Sequence, residues 1–328
     1  MTGTLLEVRG LRTVFRTREK TVHAVNSVSF DLHEGEVLGV VGESGSGKSV
    51  TMMSLLGLLP SPPADIVEGT VTFDGRDLLS MDTAELRRIC GAEIGFVFQN
   101  PMTSLNPVLT IGHQLMEPMR HHLGLSARAA RSRAREFLDL VGIPDAGRRL
   151  NDHPHQFSGG MCQRVMIAMA LSCTPRILIA DEPTTALDVT IQAQILDLVA
   201  SLRERFGMAI VWISHDLGVV ADIADRVLVM YGGRIVETAP ADDLFRRPRH
   251  PYTRALLETV PAAHRCGRGR LATIPGQTPT LVEAPRCCSF APRCTIAITR
   301  CREEVPPAIS LPGHREAACF LAGQHNDP

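Results

Sequence analysis

Val37-Leu38-Gly39-Val40-Val41 runs directly into Gly42-Glu43-Ser44-Gly45-Ser46-Gly47-Lys48-Ser49, and an apolar helical pattern begins at Val50. The first five residues read as a fully buried strand. The next eight fit G-x-x-x-x-G-K-[ST] at a strand-to-helix turn. The glycines let backbone N–H groups close around phosphate oxygens, and the helix start adds its positive end. Lys48 is placed to reach β- and γ-phosphates, and the Ser49 hydroxyl to ligate Mg²⁺. Only Lys20 and Lys48 are lysines among the 34 basic residues. A lysine retained at this point marks a site that needs a compact point charge, not a guanidinium.

Outward from this turn, short apolar runs alternate with helical patterns. Ile94–Phe98 reads as another short strand, Ile177–Ala180 and Ala209–Ile213 as buried central strands, and Ile191–Arg203 as an amphipathic helix. Asp225–Met230 and Arg234–Glu237 read as a hairpin turning through Gly232-Gly233. That order predicts an α/β fold with a parallel sheet. Gly112–Leu140 carries helical periodicity and no strand signal, so it reads as a helical subdomain inserted into the core. Beyond about Val260, Pro, Gly, Cys and Arg dominate, which marks a small loop-rich appendage. Six of the nine cysteines lie there, from Cys266 onward.

Composition narrows the function. A chain of 328 residues suggests about two domains. Its 34 basic and 35 acidic residues leave a formal charge of −1, against a protein built to grip nucleic acid backbone. Hydrophobic residues at 44% exclude disorder of the whole chain. The apolar run Val50–Leu59 has about half the length of a bilayer span. No basic-then-apolar leader opens the chain, so secretion is not expected, nor are the disulfides of a secreted protein. The expectation is a soluble protein, or one held at a membrane by something that spans it.

Further residues point to the same chemistry. Ile177–Ala180 ends in Asp181-Glu182, where Asp181 can hold the Mg²⁺ water shell and Glu182 can polarise an attacking water. Ser158-Gly159-Gly160-Met161 opens a helical run, a second anion-binding helix start. Gln99 follows a strand and precedes an Asn-Pro turn, which suits contact with metal and water. His215 follows the Ala209–Ile213 strand and suits a γ-phosphate. Two phosphate-type helix starts in one chain serve one nucleotide only if two copies of the domain face each other.

With these residues in place the chain resembles an ATP-binding cassette (ABC) ATPase over about residues 4–258. The resemblance implies an α/β P-loop NTPase cassette, with a RecA-like core, an antiparallel β subdomain and an inserted α-helical subdomain at about 100–170. It makes Gly42–Ser49 the Walker A loop, with Gly42, Ser44, Gly45, Ser46, Gly47, Lys48 and Ser49 binding ATP. Gln99 becomes the Q-loop glutamine, Ser158, Gly159 and Gly160 the signature, Asp181 the Walker B acid and Glu182 the catalytic base. Asp188, in Ala186-Leu187-Asp188, matches the D-loop, His215 the switch histidine, and Phe15 the aromatic that stacks on adenine. Phe157 and Met161 depart from the usual LSGGQ ends, leaving the anion-binding core intact.

Longer stretches resemble one branch. Phe98–Pro107 (FQNPMTSLNP), Phe157–Leu171, Ala180–Ile195 and His250–Leu257 (HPYTRALL) are similar to oligopeptide and dipeptide importers, a branch that also takes nickel. The resemblance implies an ATPase subunit on the cytoplasmic face of the membrane, peripheral to it. It would work with two transmembrane permease subunits, a second ABC ATPase subunit and an extracytoplasmic solute-binding protein, with no nucleic acid. Residues 1–258 would form the ATP-binding domain and 259–328 a small Cys-rich C-terminal domain. Cys288-x5-Cys294-x6-Cys301-x17-Cys319 resembles the branch's cysteine motif. Four thiolates hold a [4Fe–4S] cluster or a Zn²⁺ ion, and the lack of C-x2-C knuckles favours iron–sulfur. Cys287 stands where the family has glycine and is an alternative ligand to Cys288.

Two other classes of ABC ATPase fit the sequence less well. Chromosome-organising ABC ATPases carry a long coiled coil between Walker A and signature, and no sustained heptads occur here. Ribosome-binding translation factors carry two cassettes, and one Walker A is present. Arg128, Arg131, Arg133 and Arg135 spread around their helix as a solvated face, not an RNA-binding stripe.

Overall fold

The computed structural model describes residues 3–185, 188–259 and 273–323. The chain divides into two compact units, Met1–Ser80 with Ile213–Pro328, and Met81–Trp212.

The first unit opens with β1 (Thr4–Arg16), β2 (Thr21–His33), β3 (Val37–Val41), β4 (Ala64–Phe73) and β5 (Arg76–Asp77). An antiparallel sheet runs β2-β1-β4-β5. Phe15 on β1 pairs with Val22 on one side and Ala64 on the other. Every residue of β3 is buried, as its uninterrupted apolar sequence predicts.

The second unit holds β6 (Ile94–Val97), β7 (Ile177–Asp181) and the start of β8 (Ala209–Ser214), in the order β8-β7-β6. β6 and β7 are parallel, with Ile94 opposite Ile177. The region predicted as one helical insertion is two helices, Ile111–Leu123 and Ala127–Leu140. Gly124 ends the first at φ 63°, and the Ser126 side chain caps the second. The arginines of the second helix point to separate partners. Arg131 donates to Asn151 at 2.9 Å, Arg133 to the Ser172 carbonyl at 3.0 Å, and Arg135 pairs with Asp139 at 3.7 Å.

The first unit resumes with β9 (Arg226–Tyr231), parallel to β3, and β10 (Arg234–Pro240), antiparallel to β9. The hairpin turns through Gly232 and Gly233 as expected. The tail adds a short hairpin, β11 (Ile309–Leu311) and β12 (Arg315–Ala317), and β12 pairs with β10. Its own apolar cluster is small: Ala317, Cys319 and Ala322, with Leu311 and Leu321 against them.

What fastens the tail is aromatic and polar. Phe290 is 3% exposed, and its ring lies 5.2 Å from Tyr231 and 5.3 Å from Tyr252, centroid to centroid. His250 begins the Pro251–Glu258 helix, and its Nδ1 accepts the Tyr252 N–H at 3.0 Å. Burial pushes its imidazole down to about 3, so it is neutral at physiological pH. The buried Glu237 carboxylate accepts the N–H groups of Arg249 and His250 at 2.7 and 2.8 Å. Burial raises its pKa, against the hydrogen bonds that lower it. Among the described residues, no helix is long and apolar enough to cross a membrane.

Candidate active site

In the first unit, β3 delivers the chain into the Gly42–Ser49 turn, and the Lys48–Leu55 helix leaves it. The helix has Gly47 as N-cap at φ 98°, with no side-chain cap. That backbone passes close to β2. A Cβ on Gly47 would lie 2.6 Å from the Ala24 carbonyl oxygen, closer than real Cβ contacts come. The Gly233 N–H donates to the Ser46 carbonyl at 2.9 Å and fixes the other side of the loop. Ser44 and Gly45 form the exposed tip.

Lys48 is 5% exposed, and its Nζ donates to the Gly42 carbonyl at 2.8 Å and the Glu43 carbonyl at 3.1 Å. The ammonium is thus held at the mouth of the loop. Ser46 is fully buried and its Oγ has no hydrogen-bond partner in the protein. An orphaned hydroxyl under a glycine-rich turn suits a bound phosphate. Ser49, on the first turn of the helix, is half-buried. Phe15 is also half-buried. His215 is exposed, one residue beyond β8, and precedes Asp216, which caps the Leu217–Ile223 helix.

In the second unit, β7 ends at Asp181, 5% exposed. Glu182 follows at φ 46°, a left-handed backbone that turns its carboxylate out of the strand's line. Gln99 Nε2 donates to Glu182 Oε2 at 2.8 Å, and Thr185 Oγ1 donates to the same oxygen at 3.0 Å. Gln99 and Glu182, 83 residues apart, are therefore brought together. Ser158 caps the Gly159–Leu171 helix by accepting the Met161 N–H at 3.3 Å. A Cβ on Gly160 would lie 2.9 Å from Ile191 Cγ2, and Asp188 Oδ1 accepts the Ile191 N–H at 2.9 Å. The signature turn and Asp188 thus meet at one helix start. Ala186 and Leu187, expected in the D-loop, lie outside the described residues.

The segment after Gln99 is held by Gln114. Its side chain accepts the Asn106 N–H at 2.8 Å and donates to the Asn106 and Leu109 carbonyls at 3.0 and 3.1 Å. Three large apolar side chains stay exposed beside it, Phe98 at 40%, Met102 at 55% and Val108 at 76%.

In the tail, Cys288, Cys294, Cys301 and Cys319 line one small cavity. Cys287 does not. It lines a neighbouring cavity with Arg234 and Val236. Cys301 and Cys319 are buried, Cys288 and Cys294 half-buried. Burial pushes the Cys288 thiol up to about 11 and raises those of Cys294 and Cys319. Among the described residues, no three His, Cys, Asp or Glu side chains stand close enough together to hold one metal ion. Cys266 lies outside the described residues.

Four residues escape the sequence reading: Thr185, Gln114, Tyr252 and Arg293. Thr185 is signalled by a hydroxyl three residues beyond Glu182. Tyr252 and Arg293 act across long separations that no local pattern encodes, and Gln114 braces a nearby loop with no motif to mark it. Tyr252 accepts the Glu43 N–H at 2.8 Å across 209 residues.

The ABC transporter family model matches residues 25–185, and that of the oligopeptide/dipeptide transporter C-terminal region matches residues 236–301. Among solved structures, the dimeric ATP-binding cassette MJ0796 in a post-hydrolysis state, bound to ADP and Pi, is 31% identical. The likeness has a TM-score of 0.65 and covers 72% of this chain and 98% of that one. With the strand–loop–helix around Lys48, this makes the chain an ATPase of the ABC class. A putative peptide import ATP-binding protein of Brucella melitensis is 53% identical over 96% of each chain. The oligopeptide transport ATP-binding protein OppD of Bacillus subtilis is 50% identical over 94% of this chain and 86% of its own. The chain belongs to the ATP-binding subunits of ABC transporters, in the oligopeptide/dipeptide importer family.

Gly47→Ala tests the loop geometry. The substitution forces a Cβ into the Ala24 carbonyl at a positive φ, a strain of about 1–3 kcal/mol. Equilibrium titration should show ATP affinity falling at least about tenfold, since the cradle must open to relieve the clash. Wild-type affinity in that variant contradicts the geometry.

Proposed function

We propose that the chain binds and hydrolyses ATP to power peptide import through partner transmembrane subunits. The observation that carries the reading is the loop that buries Lys48 and the orphaned Ser46 hydroxyl, in a chain whose relatives are named for peptide import. Residues 1–258 act as the ATP-binding domain, with a helical subdomain at about 100–170, and 259–328 as the C-terminal domain.

The roles follow from charge and donor geometry. The backbone N–H groups of Gly42–Ser49 take the phosphate oxygens, and Lys48 exchanges its carbonyl partners for the β- and γ-phosphates. Phe15 offers its ring face to adenine. Ser49, Gln99 and Asp181 supply the hard oxygen ligands that Mg²⁺ prefers, and the ion neutralises developing charge on the phosphates. Glu182 accepts the proton of the attacking water, held until then by Gln99 and Thr185. His215 contacts the γ-phosphate. Ser158, Gly159 and Gly160 bind the nucleotide of a facing second ATPase subunit, and Asp188 lines that contact. The dimeric structure of MJ0796 supports such a pairing.

Coupling runs through the segment after Gln99. Phe98, Met102 and Val108 offer an exposed apolar face for a cytoplasmic helix of a permease subunit. The subunit sits peripherally on the cytoplasmic face of the membrane, with two permease subunits and an extracytoplasmic solute-binding protein in the complex. The relatives' names favour peptides over nickel as the solute.

The four tail cysteines suit a [4Fe–4S] cluster. What supports the reading is that all four line one cavity. The cluster would tie loop positions together where apolar packing is thin.

Two experiments test these readings. Glu182→Gln, assayed with its membrane partners, should keep ATP affinity, trap a closed dimer and slow hydrolysis about 10²–10⁴-fold. Near-normal turnover would remove Glu182 from its role. Protein purified without oxygen should be brown and contain about four iron atoms per chain. Colourless protein with one zinc ion supports the alternative centre, and neither metal rejects the site.

A further inference from the structure

Glu43 occupies the second position of the phosphate loop, and every polar group it owns is engaged. Its N–H donates to the Tyr252 hydroxyl at 2.8 Å. Its carbonyl accepts Lys48 Nζ at 3.1 Å and the Ser46 N–H at 3.2 Å. Its carboxylate turns to the tail. Arg293 grips it with both terminal nitrogens, Nη1 to Oε2 at 2.6 Å and Nη2 to Oε1 at 2.9 Å, and Thr278 Oγ1 adds a bond at 3.2 Å.

Arg293 is fully committed to this position. Its side chain is 6% exposed. Nε donates to the Pro275 carbonyl at 2.8 Å, Nη1 also to the Tyr231 hydroxyl at 3.3 Å, and Nη2 also to the Ile274 carbonyl at 3.3 Å. A guanidinium has five N–H donors, and here five acceptors meet them. The arginine is thus built into the tail and reaches from it to the loop that holds Lys48.

A carboxylate in a phosphate-binding loop is a liability, because it repels the triphosphate it sits beside. A neutral residue would avoid the conflict. The conflict is resolved instead by a bidentate arginine that both cancels the charge and holds it away from the loop's mouth.

We propose that Arg293 is a positioning residue of the ATP site: by clamping Glu43 it neutralises that carboxylate and fixes the backbone that presents Lys48 to phosphate. The tail thereby becomes part of the nucleotide-binding apparatus without touching nucleotide. This rests on reading Gly42–Ser49 as the phosphate site of ATP. A carboxylate released from its partner opposes nucleotide in proportion to phosphate charge, and a loosened loop weakens binding more than the chemical step.

The test is equilibrium binding of ATP and ADP to the full chain, with steady-state hydrolysis in the assembled transporter. Arg293→Ala should raise the ATP Kd about tenfold, the effect of leaving a partly buried charge unpaired. The ADP Kd should rise less, and kcat at saturating ATP should stay within about twofold, so the loss falls on KM. Arg293→Lys keeps the charge without the fork and should fall between, and it serves if the alanine variant does not fold. Adding Glu43→Gln to Arg293→Ala should recover much of the lost affinity, because the repelling charge is gone. Arg300→Ala, a tail arginine paired with Glu304 at the surface, should leave the ATP Kd unchanged. Unchanged ATP affinity in Arg293→Ala, or no recovery in the double variant, overturns the proposal. Failure of the wild-type chain to bind ATP, or undiminished binding by Lys48→Ala, would instead overturn the phosphate-site reading beneath it.

Discussion

A Cβ at Gly47 would come within 2.6 Å of the Ala24 carbonyl oxygen, and the phosphate loop is built around that lack of room. β2 presses on one side of the loop through Ala24, and the turn after β9 presses on the other through Gly233. Between them the Gly42–Ser49 segment has one path, and along it the Lys48 ammonium comes to rest against two carbonyls of its own loop. A cation buried to 5% exposure and bonded to neutral carbonyls of its own loop can exchange them for a stronger anionic partner. The chemistry of the site begins in this geometric restriction.

Much of this was legible in residue order. A five-residue apolar strand followed by G-x-x-x-x-G-K-S admits few structures, and β3, the loop and the Lys48–Leu55 helix fall where the pattern puts them. β7 and β8 were equally plain, because strands buried on both faces show unbroken apolar runs. The long strands β1 and β2 are harder to see. Their pairing shifts register at several points, so apolar and polar residues do not alternate cleanly. The tail hairpin is hidden for another reason. β11 and β12 have three residues each, too few for a pattern, and β12 is ordered by pairing with β10.

The site divides along the same line. Asp181, Glu182 and Ser158 are announced by the elements they terminate. The contacts that join distant residues are not. Gln99 reaches Glu182 over 83 residues and Arg293 reaches Glu43 over 250, distances at which only the fold makes neighbours. Arg293 sits one residue before Cys294, inside the cysteine motif, where no local pattern marks its role. Its full complement of hydrogen bonds shows that the tail is organised as much around an arginine as around its thiols. Phe290, packed on Tyr231 and Tyr252, supplies the apolar half of the same attachment.

Every role assigned to these residues serves one end, ATP hydrolysis by this chain driving peptides across a membrane. The most direct measurement is accumulation of a labelled oligopeptide by proteoliposomes holding the chain, its permease subunits and the solute-binding protein, with ATP on the side of the cassettes. Uptake should require ATP, stop with ADP and vanish when Lys48→Ala replaces the wild-type subunit. Peptide uptake indifferent to ATP, or ATP turnover that peptide leaves unchanged while a different solute accumulates, would contradict it.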